Sequence, residues 1–186
     1  MRIISGKFKG RSIKFLKSKS TRPLKDSVKE NLFNILIHSN KFKININNSK
    51  VVDMYAGVGS FGLECLSRGA KKVVFIERDK KVFEILRNNL ISCSLKDKSF
   101  LVNGNIKDAL RGYLMEKFNL FFFDPPFADN EYIENLKFIN SMRIYENEHL
   151  VIIHREKNTV DKLTDCLNVI DIKKYGRSKI IFGSFK

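Results

Sequence analysis

The chain has 186 residues, 43% of them hydrophobic, and carries 35 Lys and Arg against 20 Asp and Glu, a formal net charge of +15. This length suits one α/β domain with a short appendage, and apolar runs no longer than "VVFI" at 73–76 and "LFFF" at 120–123 exclude a bilayer-spanning helix, so no membrane partner is expected. Cys65, Cys93 and Cys166 lie far apart, and neither C-x-x-C nor H-x-x-x-H occurs, which excludes a disulfide framework and a zinc site.

The opening "MRIISGKFKG" has a positive start but no uninterrupted apolar stretch behind it, so a cytoplasmic protein is expected. Residues 1–50 hold 13 basic side chains against Asp26 and Glu30 alone, a net +11, while the other 136 residues carry only +4. A general Lys bias would raise both parts. The asymmetry instead suits a phosphate backbone, with Lys7, Lys9, Arg11, Arg22 and Lys25 as candidate RNA contacts.

In chain order, "RIISGKFKGRSIKF" alternates around Gly6 and Gly10 and predicts a small β-ribbon. "SVKENLFNILI", Ser27 to Ile37, places Val28, Leu32, Ile35 and Leu36 on one helical face, introduced by Pro23 and Asp26. From 49 onward strands and helices alternate. Strands are expected near 51–55, 73–77, 99–103, 119–123 and 149–154, helices near 60–69, 79–92, 106–116, 130–142 and 157–166, and a final strand pair at 167–174 and 178–185 joined by "YGRS". That alternation predicts a parallel sheet with helices on both faces and an antiparallel edge hairpin. The basic extension, 1–48, and the α/β unit, 49–186, are read as two parts. Ligands in such sheets bind beyond the carboxyl ends of the strands, so the loops after Tyr55, Glu77, Asn103, Phe123 and His154 share one rim.

"VVDMYAGVGSFG", Val51 to Gly62, contains Gly57, Gly59 and Gly62 in the spacing G-x-G-x-x-G, with Glu77 about twenty positions on. The spacing matches a dinucleotide fingerprint. Asp53, however, puts a carboxylate where a pyrophosphate would sit at the helix start. A carboxylate better suits a ligand with a positive centre and an ammonium group, as S-adenosylmethionine has. Glu77 would then accept the ribose hydroxyls, and Asn105 in "VNGNIKD" either bonds an adenine edge or serves as a plain turn residue.

"FFFDPPF", Phe121 to Phe127, ends an apolar strand in Asp124, and Pro125 and Pro126 then fix the backbone and remove its donors. What remains is a carboxylate and the Pro125 carbonyl beside Phe127, an acceptor-only site for an exocyclic NH₂ on a planar base. Acceptors that grip such an amine stabilise the charge developing as its nitrogen attacks a methyl donor. Asp124 can take the released proton, and Phe127 can stack on an extruded base.

These blocks resemble the RsmD family of bacterial methyltransferases, which modify guanine N2 in small-subunit ribosomal RNA. The resemblance covers nearly the whole chain, through "RIISGKFKGRSI", "TRPLKDSVKENLFNIL", "VVDMYAGVGSFGLECLSRGAKKVVFIERD", "VNGNIKDAL" and "FFFDPPF". It implies a Rossmann-like class I S-adenosylmethionine-dependent fold with a seven-stranded, mostly parallel sheet, an antiparallel edge hairpin, and an N-terminal β-ribbon and helix. It further implies a cofactor loop lined by Asp53, Tyr55, Ala56, Gly57 and Gly59, with Glu77 on the ribose, Asn105 and Ile106 on the adenine, Asp124 beside the methyl donor, and Asp124, Pro125, Pro126 and Phe127 receiving guanine. Arg22 matches a basic residue that reaches the cofactor carboxylate or the RNA. Ser27 and Lys29 stand where arginines are usual, and Leu24 replaces a small hydroxyl residue. The family's substrate is the assembled small subunit, and a monomer is expected.

The motif chemistry leaves three rivals open: an adenine-N6 methyltransferase on DNA or RNA, an NAD-dependent oxidoreductase, and a basic RNA-binding protein without catalysis. His154 falls on the ligand rim but pairs with no nucleophile in the sequence, so it reads as structural.

Overall fold

The computed structural model describes residues 1–15, 24–113 and 115–186. Helix α1 (Asp26–His38) precedes an alternating series: β1 (Lys50–Met54), α2 (Ser60–Ser67), β2 (Lys72–Glu77), α3 (Lys80–Ser92), β3 (Ser99–Asn103), α4 (Ile106–Arg111), β4 (Phe118–Phe123), α5 (Glu131–Met142), β5 (Tyr145–Glu156), β6 (Leu167–Tyr175) and β7 (Ser178–Phe185). The strands form one sheet in the order β3-β2-β1-β4-β5-β7-β6, parallel through β5, with β7 antiparallel to both its neighbours. Strand order reverses at β1, so the β1–β4 crevice is where such a sheet takes a ligand.

Alternation along each strand splits the core. Val51, Leu120, Phe122, Leu150, Ile152 and Phe182 face one cluster, shared with α1, α2 and α3, while Val52, Val74, Phe121, Phe123, Val151 and Ile153 face a second, shared with α4 and α5. Both faces are covered, which is why the central strands read as continuous apolar runs rather than alternating ones. No helix among the described residues is long and apolar enough to cross a membrane.

Three expectations need correction. The segment 157–166 is a loop instead of a helix, because Thr159 and Asp161 spend their side chains on other groups: the Thr159 hydroxyl donates to the Glu156 carbonyl, and Asp161 gathers donors from three elements. Helix α4 stops at Arg111, with Gly112 as its C-cap, so the expected end at 116 lies beyond the helix. The N-terminal ribbon is reduced to one antiparallel bridge, Arg2 with Ser12, supported by backbone bonds from Ile3 to Arg11 and from Ile13 to Met1.

That reduced ribbon does not stand apart. Ile3, Ile13, Leu24, Val28 and Leu32 belong to the same apolar cluster as α2 and β1. Polar pins hold it down: the buried carboxylate of Glu64 accepts from the amides of Ile4 (2.7 Å) and Ser5 (3.0 Å), and Asn89 both accepts from the Lys14 amide and donates to its carbonyl at 3.0 Å. Lys29, fully buried, donates to the Arg2 carbonyl (2.8 Å) and the Ser60 hydroxyl (3.1 Å) and lies 3.6 Å from Asp26. Burial holds its pKa below the usual lysine value.

Candidate active site

Beyond the carboxyl ends of β1, β2, β3 and β4 lies a cavity of about 1020 Å³. The turn after β1 forms because Tyr55 (φ 60°), Gly57 (φ 56°) and Gly59 (φ 87°) all take left-handed backbone, reversing the chain before α2. The glycines divide their work. A side chain on Gly57 would meet only the Tyr55 carbonyl, 4.0 Å away, and one on Gly104 nothing within 4 Å, so both leave open space. A Cβ on Gly59 would come within 2.4 Å of Leu86 and one on Gly62 within 2.2 Å of Phe75. These two glycines let α2 pack closely, and neither lines the cavity.

Asp53 is 1% exposed, and one carboxylate oxygen accepts from the Gly62 amide at 2.9 Å. Burial, reinforced by Asp124 and Glu77, pushes its pKa well above the ordinary carboxylate value despite that bond. Glu77 accepts from the Gly57 amide and the Asp79 amide, each at 2.8 Å, and so shapes the turn as well as facing the cavity. Asn105 is the N-cap of α4: its oxygen accepts from the Asp108 amide (2.9 Å) and its nitrogen donates to the Asp108 carboxylate (2.6 Å). Tyr55, its phenol kept un-ionised by burial and by Asp129, accepts from the Asn135 amide at 3.0 Å and ties the glycine turn to α5.

The segment Asp124 to Phe127 follows β4, the neighbour of β1, and lines the same cavity. One Asp124 carboxylate oxygen lies 2.8 Å from Nδ1 of His154, whose ring meets Phe127 edge-on with centroids 6.0 Å apart. The next residue, Arg155, is 2% exposed and donates to the carbonyls of Pro126 and Phe127, both at 3.1 Å. The contacts that hold the loop therefore use one oxygen of Asp124 and two later carbonyls, leaving the second Asp124 oxygen and the Pro125 carbonyl uncommitted to them.

The structure thus brings Asp53, Tyr55, Ala56, Gly57, Glu77, Asn105, Ile106, Asp124, Pro125, Pro126 and Phe127 to one cavity and leaves Gly59 behind it. Lys7, Lys9, Arg11 and Lys25 are exposed on the N-terminal side, with Arg11 stacked on Phe8 at 4.9 Å and donating to the Ser92 carbonyl. Arg22 lies outside the described residues. Lys29, which stands where an arginine is usual in the family, is an internal pin. Met1, Phe15 and Leu24 line the cavity, so the N-terminal part is one of its walls and not a detached arm. His154, read as structural, touches Asp124; a strand-end position on the ligand rim was its only signal, and nothing in the sequence pointed to Arg155.

More carboxylates than cationic side chains line this cavity, in a protein whose formal charge is +15. A pyrophosphate would be repelled there, whereas the sulfonium and ammonium of S-adenosylmethionine fit a lining rich in carboxylates. Sheet order, reversed last strand and the turn after β1 together make this a Rossmann-like class I methyltransferase fold, and a solved structure described as a candidate methyltransferase of Escherichia coli superposes with a TM-score of 0.79 at 26% identity over 100% of this chain and 98% of that one. A precorrin methyltransferase of Geobacter metallireducens shares the fold alone, at a TM-score of 0.68 and 15% identity over 92% and 94% of the two chains.

The chain belongs to the RsmD family, whose description reads "Conserved hypothetical protein 95" and which matches residues 1–184. A relative from Haemophilus influenzae named "Ribosomal RNA small subunit methyltransferase D" is 34% identical over 160 residues, 85% of this chain and 80% of that protein. One of the same name from Buchnera aphidicola is 29% identical over 184 residues, 99% and 90% of the two chains.

Proposed function

We propose that the protein transfers a methyl group from S-adenosylmethionine to the exocyclic N2 amine of a guanine in 16S ribosomal RNA, acting in the cytoplasm as a monomer on the small ribosomal subunit. The observation that carries this reading is the pair of uncommitted acceptors, the second Asp124 oxygen and the Pro125 carbonyl, in the same cavity as the open glycine turn. The names of the curated relatives supply the substrate class.

When bound, S-adenosylmethionine supplies an electrophilic methyl on a sulfonium. Asp53 and the Gly57 turn hold its amino acid end, Glu77 its ribose, and the α4 start at Asn105 and Ile106 its adenine; because the Asn105 side chain already caps α4, the Ile106 backbone is the freer partner. Asp124 and Pro125 accept the two amine hydrogens, which draws the nitrogen lone pair out of conjugation and stabilises the charge that grows on it. Asp124 then takes the released proton, with His154 on its other oxygen steadying the carboxylate. Phe127 stacks on the base, and Lys7, Lys9, Arg11, Arg22 and Lys25 contact phosphates. In this division residues 1–48 serve RNA binding and 49–186 catalysis.

An adenine N6 amine offers the same two hydrogens to this acceptor pair, so the guanine assignment rests on the family resemblance and the nucleoside product decides it. Incubating the protein and labelled S-adenosylmethionine with unmethylated small subunits, then digesting the RNA to nucleosides, tests the reading. N2-methylguanosine at one position is expected, and N6-methyladenosine would overturn the base assignment. A melting temperature raised by NAD and not by S-adenosylmethionine would overturn the cofactor.

A further inference from the structure

We infer that Arg155 is a positioning residue that sets the geometry of the acceptor loop, and that it does so as part of a buried ionic network extending away from the cavity. This rests on the function proposed above, since the acceptors matter only if the loop receives an amine.

Arg155 does not line the cavity, so it does not meet substrate directly. Each of its three guanidinium nitrogens donates a hydrogen bond. Nη1 and Nη2 donate to the carbonyls of Pro126 and Phe127 at 3.1 Å each, and Nε donates to Asp161 at 3.0 Å. Its plane lies over the Tyr132 ring, 4.5 Å from the centroid. Asp161 in turn accepts from the Tyr132 hydroxyl at 2.5 Å and from Lys179 at 2.7 Å, and the Thr159 hydroxyl, shared with the Glu156 carbonyl, lies 3.0 Å from it. Burial pushes the Asp161 carboxyl up, but the bonds from Lys179, Tyr132 and Arg155 outweigh it and hold the group below its usual range, so the network is ionic.

The fork explains why a strand-end loop with two prolines has one shape. Pro125 and Pro126 offer no amide to a neighbouring strand, and the Asp129 amide closes a turn on the Pro126 carbonyl at 2.8 Å without reaching the Phe127 carbonyl. Arg155 instead grips two successive carbonyls from behind. With those two turned toward the guanidinium and one Asp124 oxygen toward His154, the Pro125 carbonyl and the remaining Asp124 oxygen are the acceptors left for the cavity. A lysine cannot reproduce this, because it offers a point charge and not a planar fork. The network also gives a purpose to the non-helical 157–166 loop, which carries Asp161 and Thr159 to the place where the fork needs its counter-charge.

The test compares wild type, Arg155→Lys and Arg155→Gln in methyl transfer to unmethylated small subunits, with S-adenosylmethionine affinity by calorimetry and folded fraction by near-UV circular dichroism. Arg155→Lys is expected to lower kcat roughly 10- to 100-fold per folded molecule, the scale for an acceptor displaced by about an ångström. KM for the subunit and cofactor affinity should stay within about twofold. If kcat per folded molecule is unchanged in both variants while wild type is active, the positioning role is overturned and the proposed function stands. If Arg155→Lys fails to fold, the residue is structural first and the assignment is again overturned. A wild type that binds cofactor but methylates no subunit RNA overturns the function itself, and the positioning role with it.

Discussion

Replacing Glu64 by Gln tests whether the N-terminal segment is welded to the catalytic sheet. Glu64 is fully buried in α2, and its carboxylate accepts from the Ile4 amide at 2.7 Å, the Ser5 amide at 3.0 Å and Nε of Arg68 at 2.7 Å. Glutamine has the same shape but presents an NH₂ where one oxygen was, so at least one of the three donors meets another donor. Leaving a buried donor unsatisfied costs about 1–3 kcal/mol, and the surviving bonds lose the roughly twofold strength that the charge gave them. The expected loss is about 2–4 kcal/mol in urea denaturation, or a fall in Tm of roughly 5–15 °C for a chain of this size. Because Met1, Phe15 and Leu24 form part of the cavity wall, S-adenosylmethionine affinity should fall in the same variant. A Tm within about 2 °C of wild type, with unchanged affinity, would refute the reasoning, since three buried bonds cannot be altered without one of those effects.

Asp124→Ala should lower methyl transfer by at least ~10²-fold while cofactor binding and fold persist, checked by single-turnover transfer and circular dichroism. Gly62→Ala drives a Cβ to 2.2 Å from Phe75, so α2 must lift from β2, and urea denaturation should report a loss of about 1–3 kcal/mol. Asp53 predicts a pH dependence of definite sign. Its folded pKa lies above the ordinary 3.8, so the folded state holds a proton that the unfolded state releases first, and this contribution to stability is full below 3.8 and is lost as pH rises toward the folded value. Asp53→Asn should remove that decline in a series of urea titrations against pH while weakening cofactor binding; a decline of the same size in the variant would assign it to other groups.

Much of the fold was legible because the central strands are buried on both faces and announce themselves as apolar runs. "FFFDPPF" marked both the end of β4 and a stretch that lines the cavity, since the prolines stop the ladder at its rim. The glycine motif gave the turn but not the separate duties within it: spacing cannot tell Gly57, open to the cavity, from Gly59 and Gly62, which are there for Leu86 and Phe75. The helix expected over 157–166 failed on partners far away in sequence, because the hold of Asp161 on Arg155, Lys179 and Tyr132 is a tertiary fact with no local pattern. Nor does the sequence show that the Lys29 ammonium ends inside the protein, on the Arg2 carbonyl and the Ser60 hydroxyl.

The pinning of the N-terminal segment also sets an order of events during folding. Residues 1–15 are synthesised early, yet Ile4 and Ser5 must wait for Glu64, separated by 60 and 59 positions, and Lys14 for Asn89, separated by 75. Each bond closes a long loop, so it can form only after α2 and α3 have settled on the sheet. Docking of the basic segment is then a late step that completes the cavity wall. Native-state hydrogen exchange should find the Ile4 and Ser5 amides opening at a lower free energy than those of β1 and β4, which makes the cavity the last part of the molecule to assemble and the first to come apart.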